Sequence, residues 1–319
     1  MLNFILMKKI LCIDSNHSIL HETLISKGFH CDLFWDQSTD ELKKLLPNYE
    51  GIVIRSKFKI TQQLIDSAPN LKCIGRVGAG MENIDVEYAN SKGITCVSAP
   101  EGNRDAVGEH ALGMLLMLLN NLKRADNEVR HGIWKRAENR GFEIAGKTIG
   151  IIGYGNMGSA FAKRLQGFSC KVLVYDKYKT GFGNEFITEA TLEQIHQEAD
   201  IISIHTPLTD ETTYLINNTF ISSCKKNIYI INTARGKSLN TADLVTHLKS
   251  GKVLGACLDV LEYESTSFEN IDTTTLPEPM QYLLKSEQVI LTPHIAGWTH
   301  ESNYKMSLII AEKMSEVLQ

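Results

Sequence analysis

The residues best equipped for chemistry begin with a glycine pattern. Gly153-Tyr154-Gly155-Asn156-Met157-Gly158 follows the apolar run Thr148-Ile149-Gly150-Ile151-Ile152 and precedes a helical stretch from Ala160 to Gln166. Loops collect glycine for turn geometry alone, so the pattern is weak by itself. A buried strand before it, a helix after it and an acid at the end of the next strand make it specific for a dinucleotide. Gly153 permits the tight turn, Gly155 lets the backbone approach a diphosphate, and Gly158 lets helix and strand pack closely. The diphosphate would then face backbone N–H groups at a helix N-terminus, which favours negative charge, and Asn156 and Met157 count with the glycines among the cofactor-binding positions. The acid is Asp176, at the end of Val172-Leu173-Val174-Tyr175, about 20 residues past the glycines as the fingerprint requires. A carboxylate there accepts hydrogen bonds from ribose hydroxyls and repels a 2′-phosphate. Lys177 follows, but no arginine stands in the next few positions, so NAD is expected over NADP.

A dinucleotide that exchanges hydride with a carbonyl needs a proton donor at the carbonyl oxygen and a cation that holds the substrate. Strand ends of the cofactor domain are the places to look. They offer Arg235 in Asn232-Thr233-Ala234-Arg235-Gly236, Asp259 in Leu258-Asp259-Val260, and His294 in Thr292-Pro293-His294-Ile295-Ala296-Gly297, with Glu264 five residues past Asp259. Histidine suits the proton donor because it titrates near neutrality and a carboxylate raises its pKa. Each residue also has a plainer reading: Arg235 as a strand-end ion pair, Glu264 as a solvated acid. His110, on an apolar helix, reads as packing or an interdomain hydrogen bond, and His205 as loop support. Trp134 and Trp298 read as packing, although Trp298 is near enough to His294 in sequence to line a pocket.

The elements that must position these residues follow from length and pattern. A chain of 319 residues suits two domains, and 43% hydrophobic with 22% charged residues is an ordinary globular composition. With 33 basic against 37 acidic residues, polyanion or nucleic-acid binding is not the expected task. Seven cysteines, scattered and without a C-x-x-C pair, point away from a disulfide framework or a metal site and towards reduced cytoplasmic thiols. Met1 to Leu6 is too short for a signal peptide, and no run approaches a membrane span, so a cytoplasmic, non-membrane protein is expected. Whether Met1 or Met7 is the start stays open.

Apolar runs alternate with helical patterns almost from end to end, which predicts parallel α/β sheets. Strands are expected from Lys9 to Ile13, His30 to Trp35, Gly51 to Arg55, Leu71 to Val77 and Ile94 to Ser98, with helices from Ser18 to Lys27, Thr39 to Leu46 and Thr61 to Ser67. One unbroken helix is expected from Arg104 to about Glu128, as a bridge between domains. A second strand series follows from Thr148 to Ile152, Lys171 to Tyr175, Ile201 to His205, Ile228 to Asn232, Val253 to Asp259 and Val289 to Thr292, then a tail helix from Met306 to Leu318.

At these positions, and over essentially the whole chain, the sequence resembles the D-2-hydroxyacid dehydrogenases. The shared stretches include Gly78-Ala79-Gly80, Asn83-Ile84-Asp85, Val107-Gly108-Glu109-His110, the 153–158 loop, His205-Thr206-Pro207-Leu208, Thr233-Ala234-Arg235-Gly236, Leu258-Asp259-Val260 and Pro293-His294. The resemblance implies an NAD domain (104–298) with a Rossmann-like doubly wound sheet, inserted into a flavodoxin-like substrate domain (1–103 and 299–319), and a homodimer built largely on the NAD domains. Arg235 would hold the substrate carboxylate and carbonyl, His294 would be the acid/base, and Glu264 would hydrogen-bond that histidine. Asp259 would fix the nicotinamide carboxamide. Thr206, Pro207, Thr233, Ala234, Arg235, His294 and Gly297 would join the glycine loop and Asp176 in holding NAD. One departure is visible. The family usually has proline after this glutamate, whereas Ser265 follows here and a long stretch to Ser286 comes next, so Glu262 stands as a rival for the glutamate role.

The substrate expectation rests on cations. Arg55, beside Ser56, and Lys59, Arg76 and Arg136 match positions at which the phosphoglycerate-oxidising members carry basic residues facing a 3-phosphate. Val77, Gly78 and Ala79 would line the same substrate, and Arg136 would reach it from a partner subunit. Guanidinium forks suit a phosphate dianion. Oxidation of 3-phosphoglycerate to 3-phosphohydroxypyruvate, the opening step of serine synthesis, is the leading expectation, without an appended regulatory domain because the chain ends at Gln319 after the tail helix. Hydroxypyruvate or glyoxylate reduction is the alternative, as is a non-catalytic, corepressor-like NAD sensor.

Overall fold

The computed structural model describes residues 7–35, 38–264 and 276–319. Within these, short β-branched runs pair in parallel in two separate sheets. One unit of the chain reaches to Asn103 and resumes at Trp298; the other starts at Arg104 and ends at Gly297. The division falls one residue before the expected 298/299 boundary, because the Trp298 ring lies 3.8 Å beneath the Arg55 guanidinium of the first unit.

The first unit contains β1 (Lys9–Cys12), β2 (His30–Leu33), β3 (Gly51–Ile54), β4 (Cys73–Arg76) and β5 (Thr95–Ser98), in the order β2-β1-β3-β4-β5. This is the flavodoxin-like order. Alternate residues face opposite sides of the sheet, and both sides are buried. Leu11, Ile52, Ile54 and Ile74 pack on one side with Leu42, Leu46 and Leu64. Ile10, Cys12, Val53 and Cys73 pack on the other against Ile310, Met314 and Leu318. Those last three belong to the helix His300–Leu318, capped by Thr299, whose side chain accepts from the Ser302 N–H.

The second unit contains β6 (Thr148–Ile152), β7 (Lys171–Tyr175), β8 (Ile187–Glu189), β9 (Ile201–Ile204), β10 (Ile228–Asn232), β11 (Val253–Leu258) and β12 (Val289–Leu291). Their order, β12-β11-β10-β9-β6-β7-β8, is that of a dinucleotide-binding sheet with one added strand. The order reverses between β6 and β9, so the loop after β6 opens at the switch point where ligands of such sheets sit. Both expected fold types are present.

Several elements differ from the sequence expectation. The long helix starts at Pro100 and ends at Leu119, and a second helix, Leu122–Arg130, follows. Asn121 makes the break with φ +52°, a left-handed conformation that asparagine tolerates better than most residues. The tail helix starts six residues early because Thr299 and Ser302 form its cap. The helix after the glycine loop starts at Asn156, directly behind Gly155. Strand β8 and the helices Val86–Ser91, Leu192–Glu198, Asn218–Ser223, Thr241–Lys249 and Glu278–Lys285 escaped the pattern reading. No helix among the described residues is long and apolar enough to cross a membrane.

Met314 is fully buried against β4 of its own sheet. Met314→Ala should therefore cost about 2–5 kcal/mol in denaturant unfolding, the range for an uncompensated cavity. A loss below about 0.5 kcal/mol, the level of a surface change, would mean that this helix does not form part of the first core.

Candidate active site

The glycine loop is built as a phosphate cradle. Gly153 has φ +94°, and a side chain there would press on the His205 carbonyl oxygen at 2.7 Å. A Cβ on Gly158 would collide with the Gly153 carbonyl, so the first helical turn sits directly on the end of β6. The first intrahelical bond of this turn runs from the Ser159 N–H to the Gly155 carbonyl (3.1 Å). The amides of Asn156, Met157 and Gly158 precede it, and Gly155 provides no side-chain cap. Unsatisfied donors of this kind attract an anion.

Asp176 stands beside the cradle. The Tyr154 N–H donates to its Oδ2 (2.7 Å), and the Tyr178 and Lys179 N–H groups donate to Oδ1 (2.9 and 3.0 Å). Burial pushes its pKa up, but the three backbone donors outweigh burial and hold the carboxyl below its ordinary value. The Thr206 and Thr233 hydroxyls, at the ends of β9 and β10, are buried without a hydrogen-bond partner among the described residues. His205, sequestered beside Ser203, is pushed down to about 3 by burial and stays neutral. Its ring is held by the Ser203 hydroxyl of β9 (2.8 Å).

The second group of residues surrounds His294. This residue is left-handed at φ +56°, a conformation that costs a non-glycine residue about 1–3 kcal/mol. Its own N–H donates to the Asp259 main-chain oxygen (2.7 Å). The next two amides donate to the Asp259 carboxylate, Ile295 to Oδ1 (2.9 Å) and Ala296 to Oδ2 (2.8 Å). Three consecutive N–H groups thus converge on one residue that is only 1% exposed. The turn points the His294 ring at Glu264, with Nδ1 3.1 Å from Oε2. With Nδ1 bound to a carboxylate, proton exchange with a substrate falls to Nε2.

Glu262 is engaged elsewhere. Its Oε1 accepts from the Tyr214 hydroxyl (2.8 Å) and its Oε2 from the Thr241 N–H (2.9 Å), so it braces a loop and a helix start. Ser265, the site of the departure from the family pattern, lies outside the described residues, as do positions up to 275. Arg235 is half-buried at the end of β10, where its Nη1 donates to the Ala234 carbonyl (2.7 Å). Asn232 fixes this turn, accepting from the Ala234 N–H (3.1 Å) and donating to the Arg235 carbonyl (2.9 Å). His110 bonds to Thr292 (3.0 Å) within the second unit, which corrects the expectation of an interdomain bond.

In the first unit, the Arg76 Nε donates to the Arg55 carbonyl (3.2 Å), and its guanidinium lies where a Cβ of Gly78 would stand. Arg55 stacks on Trp298, which is 66% exposed and so serves as a platform for the guanidinium instead of a core residue. Val77 is buried beneath, while Lys59 is exposed. Arg136 belongs to the second unit, in an exposed stretch beside Trp134. Asp14 was missed in the sequence: its Oδ2 accepts from the N–H groups of Arg55 (2.5 Å), Ser56 (3.0 Å) and Lys57 (3.3 Å) and so shapes the loop that bears Arg55. Its place just past β1 was the one available signal.

Comparison with known proteins decides what these groups belong to. A family model for the D-isomer specific 2-hydroxyacid dehydrogenase NAD-binding domain matches residues 112–296, and the model for the catalytic domain of the same family matches residues 8–201. The chain belongs to the D-isomer specific 2-hydroxyacid dehydrogenase family. It is 37% identical over 287 residues to a D-3-phosphoglycerate dehydrogenase of Archaeoglobus fulgidus, covering 89% of this chain and 52% of that protein. It is 36% identical over 281 residues to a hydroxypyruvate reductase of Thermotoga maritima, covering 88% of each. The chain thus spans about half the length of the former relative and most of the latter. Among solved structures, the D-lactate dehydrogenase of Aquifex aeolicus, in complex with NAD and lactic acid, superposes with a TM-score of 0.81 at 29% identity, covering 98% of this chain and 94% of that one.

These are NAD-dependent oxidoreductases, and the second unit carries the NAD-binding domain. The helix start without a side-chain cap, the close backbone packing at Gly153 and Gly158, and the Thr206 and Thr233 hydroxyls, buried without a partner among the described residues, all suit that cofactor. The glycine loop would take the diphosphate and Asp176 the adenosine ribose. Asp259 already accepts three hydrogen bonds, from Thr292, Ile295 and Ala296, which leaves about one of a carboxylate's roughly four acceptor positions for a carboxamide.

Two results are expected from Asp176→Asn. Its preference for NADH over NADPH in kcat/KM should narrow, because the charge that repels a 2′-phosphate is gone; an unchanged preference would contradict the assignment. Since the folded carboxyl is held below its ordinary value, its stabilisation is complete above about pH 4 and is lost as pH falls through the folded pKa. The stability gap between wild type and variant should hold through neutrality and close only in strong acid. A gap that widens on acidification would contradict the hydrogen bonding described.

Proposed function

We propose that the chain catalyses the NAD-linked interconversion of a 2-hydroxy acid and its 2-oxo acid. The observation that carries this reading is the His294–Glu264 pair, presented by a strained turn at the strand ends of the NAD-binding unit. NADH bound in the cradle would supply hydride. The His294 Nε2 would give a proton to the carbonyl oxygen in reduction and take one from the hydroxyl in oxidation, while Glu264 stabilises the imidazolium. Arg235 would hold the substrate carboxylate and polarise the carbonyl. His294→Ala should lower kcat by at least the hundredfold to ten-thousandfold typical of a general acid–base, with NADH affinity nearly unchanged. Glu264→Gln should shift the pH profile, and Glu262→Gln should not; the reverse pattern would contradict the pairing.

For the substrate we propose 3-phosphoglycerate and 3-phosphohydroxypyruvate, with Arg55, Lys59, Arg76 and Arg136 as the cations that recognise the phosphate. The joined pair Arg55 and Arg76 supports this reading, as do relatives named D-3-phosphoglycerate dehydrogenase. Hydroxypyruvate reduction is the second reading, favoured by the Thermotoga relative matched over most of its length. We also propose a cytoplasmic homodimer formed through the second unit. The helix Leu122–Arg130 buries no residue, and Met117, Leu122, Val129, Ile133, Trp134 and Phe142 are exposed along one continuous segment, a pattern that suits a covered face. Light scattering should give twice the chain mass, and a monomer at micromolar concentration would contradict it.

A substrate panel with NADH tests the preference: phosphohydroxypyruvate, hydroxypyruvate, glyoxylate, pyruvate and 2-oxoglutarate. A charged phosphate–arginine contact is worth about 1.5–3 kcal/mol, so phosphohydroxypyruvate should lead in kcat/KM by roughly ten- to a hundredfold. Arg76→Ala should remove most of that lead and spare hydroxypyruvate. Equal turnover of hydroxypyruvate by the wild type would favour the second reading. No turnover of any 2-oxo acid would favour an NAD sensor.

A further inference from the structure

A polar chain that the proposed chemistry does not use runs from two half-buried side chains, His110 and Thr292, to the buried Asp259. Thr292 Oγ1 is 2.6 Å from Asp259 Oδ1, and His110 Nε2 is 3.0 Å from the same hydroxyl and 3.5 Å from Oδ1. The hydroxyl has one hydrogen. A separation of 2.6 Å to a carboxylate is that of a charge-assisted O–H···O⁻ bond, so the hydrogen goes to Asp259. Thr292 must then accept from His110, which fixes a proton on Nε2 of that ring. The direction of donation is His110 to Thr292 to Asp259, and every member lies in the second unit.

This chain ends on the carboxylate that shapes the proton-transferring turn. Asp259 Oδ1 is shared by the Thr292 hydroxyl and the Ile295 N–H, and Oδ2 takes the Ala296 N–H. The Thr292 hydroxyl also lies 3.7 Å from the Met114 sulfur, on the same helix as His110, so the hydroxyl rotor is boxed in on both sides. Without the Thr292 and His110 donors, only the two turn amides would hold the carboxylate, and its χ2 would be less constrained. The amides of Ile295 and Ala296 would follow it, and His294 would lose the support for its left-handed backbone.

We propose that His110 and Thr292 are positioning residues: they lock the Asp259 carboxylate, and through it hold the His294 imidazole in line with Glu264. Neither touches substrate. The inference rests on the reading of His294 as the acid/base, and its test separates the two. Thr292→Val keeps the shape and removes the hydroxyl, whereas Thr292→Ser keeps the hydroxyl. His110→Gln keeps a side-chain N–H donor, whereas His110→Leu does not. All four are compared with wild type and with His294→Ala, using NADH and whichever acid of the substrate panel turns over fastest.

Thr292→Val and His110→Leu should lower kcat by about ten- to a hundredfold, the equivalent of one charge-assisted hydrogen bond. The KM for NADH should stay within twofold, and the pH profile of kcat/KM should shift. Thr292→Ser and His110→Gln should recover most of the rate. If Thr292→Val fails to fold, the His110 pair carries the same comparison. Lower thermal stability in Thr292→Val or His110→Leu with kcat and pH profile unchanged would overturn the proposal and leave only a packing role, and equal loss in Thr292→Ser and Thr292→Val would do the same. If His294→Ala itself retains activity, the acid/base assignment fails first. If His294→Ala is inactive while the other variants match wild type, only the positioning role fails.

Discussion

The arrangement around the active residues depends on one buried carboxylate. Asp259 collects its own main-chain bond to His294 and side-chain bonds to Ile295, Ala296 and Thr292 while 1% exposed. A buried acid would be costly alone, but here each donor is also a structural constraint. The turn it holds is left-handed at a histidine, a conformation uncommon outside glycine. Strain of this kind persists only where surrounding bonds over-determine it. The parallel pairing of β11 with β10 and β12 supplies the frame, because it sets the heights at which Asp259 and Thr292 leave the sheet.

The two units divide the work in a manner that fits the family. The second holds a rigid cradle and a rigid turn, both at strand ends of one sheet, where dipoles and amides are fixed by the backbone. The first holds cationic side chains at strand ends: Arg55 on the Trp298 ring face, Arg76 at the end of β4 folded over the position of a Gly78 side chain, and a loop pinned by Asp14. Burial pushes Asp14 upward in pKa, opposed by the three amides it receives.

Much of this was legible in the sequence because it is local. The strand, glycine turn, helix and acid around Gly153 lie within about 25 residues and each leaves a composition signature. The short apolar runs foretold every strand of the described residues but β8, whose three residues Ile187, Thr188 and Glu189 hold one apolar side chain. The break at Asn121 was hidden because the apolar spacing continues through it, and only one residue changes conformation. Glu264 and Glu262 differ by two positions and could not be separated until the chain folded and gave Glu262 to Tyr214 and Thr241. The Asp259 anchoring and the His110–Thr292 bond join residues 33 and 182 positions apart. No spacing rule reaches that far.

The most direct test of the account concerns the carboxylate itself. Asp259→Asn keeps the size of the side chain but replaces one acceptor oxygen with a donor, which faces an amide or hydroxyl that also donates. In a single-turnover stopped-flow experiment with saturating NADH and the preferred 2-oxo acid, the rate of NADH consumption should fall about a hundredfold or more, as for the loss of two charge-assisted bonds. NADH affinity, read by fluorescence titration of the same variant, should weaken by no more than about tenfold, the loss of one carboxamide hydrogen bond. A variant that binds NADH far more weakly, yet reacts near the wild-type rate once saturated, would contradict this. It would mean that Asp259 acts chiefly on the cofactor and that the His294 turn stands without it.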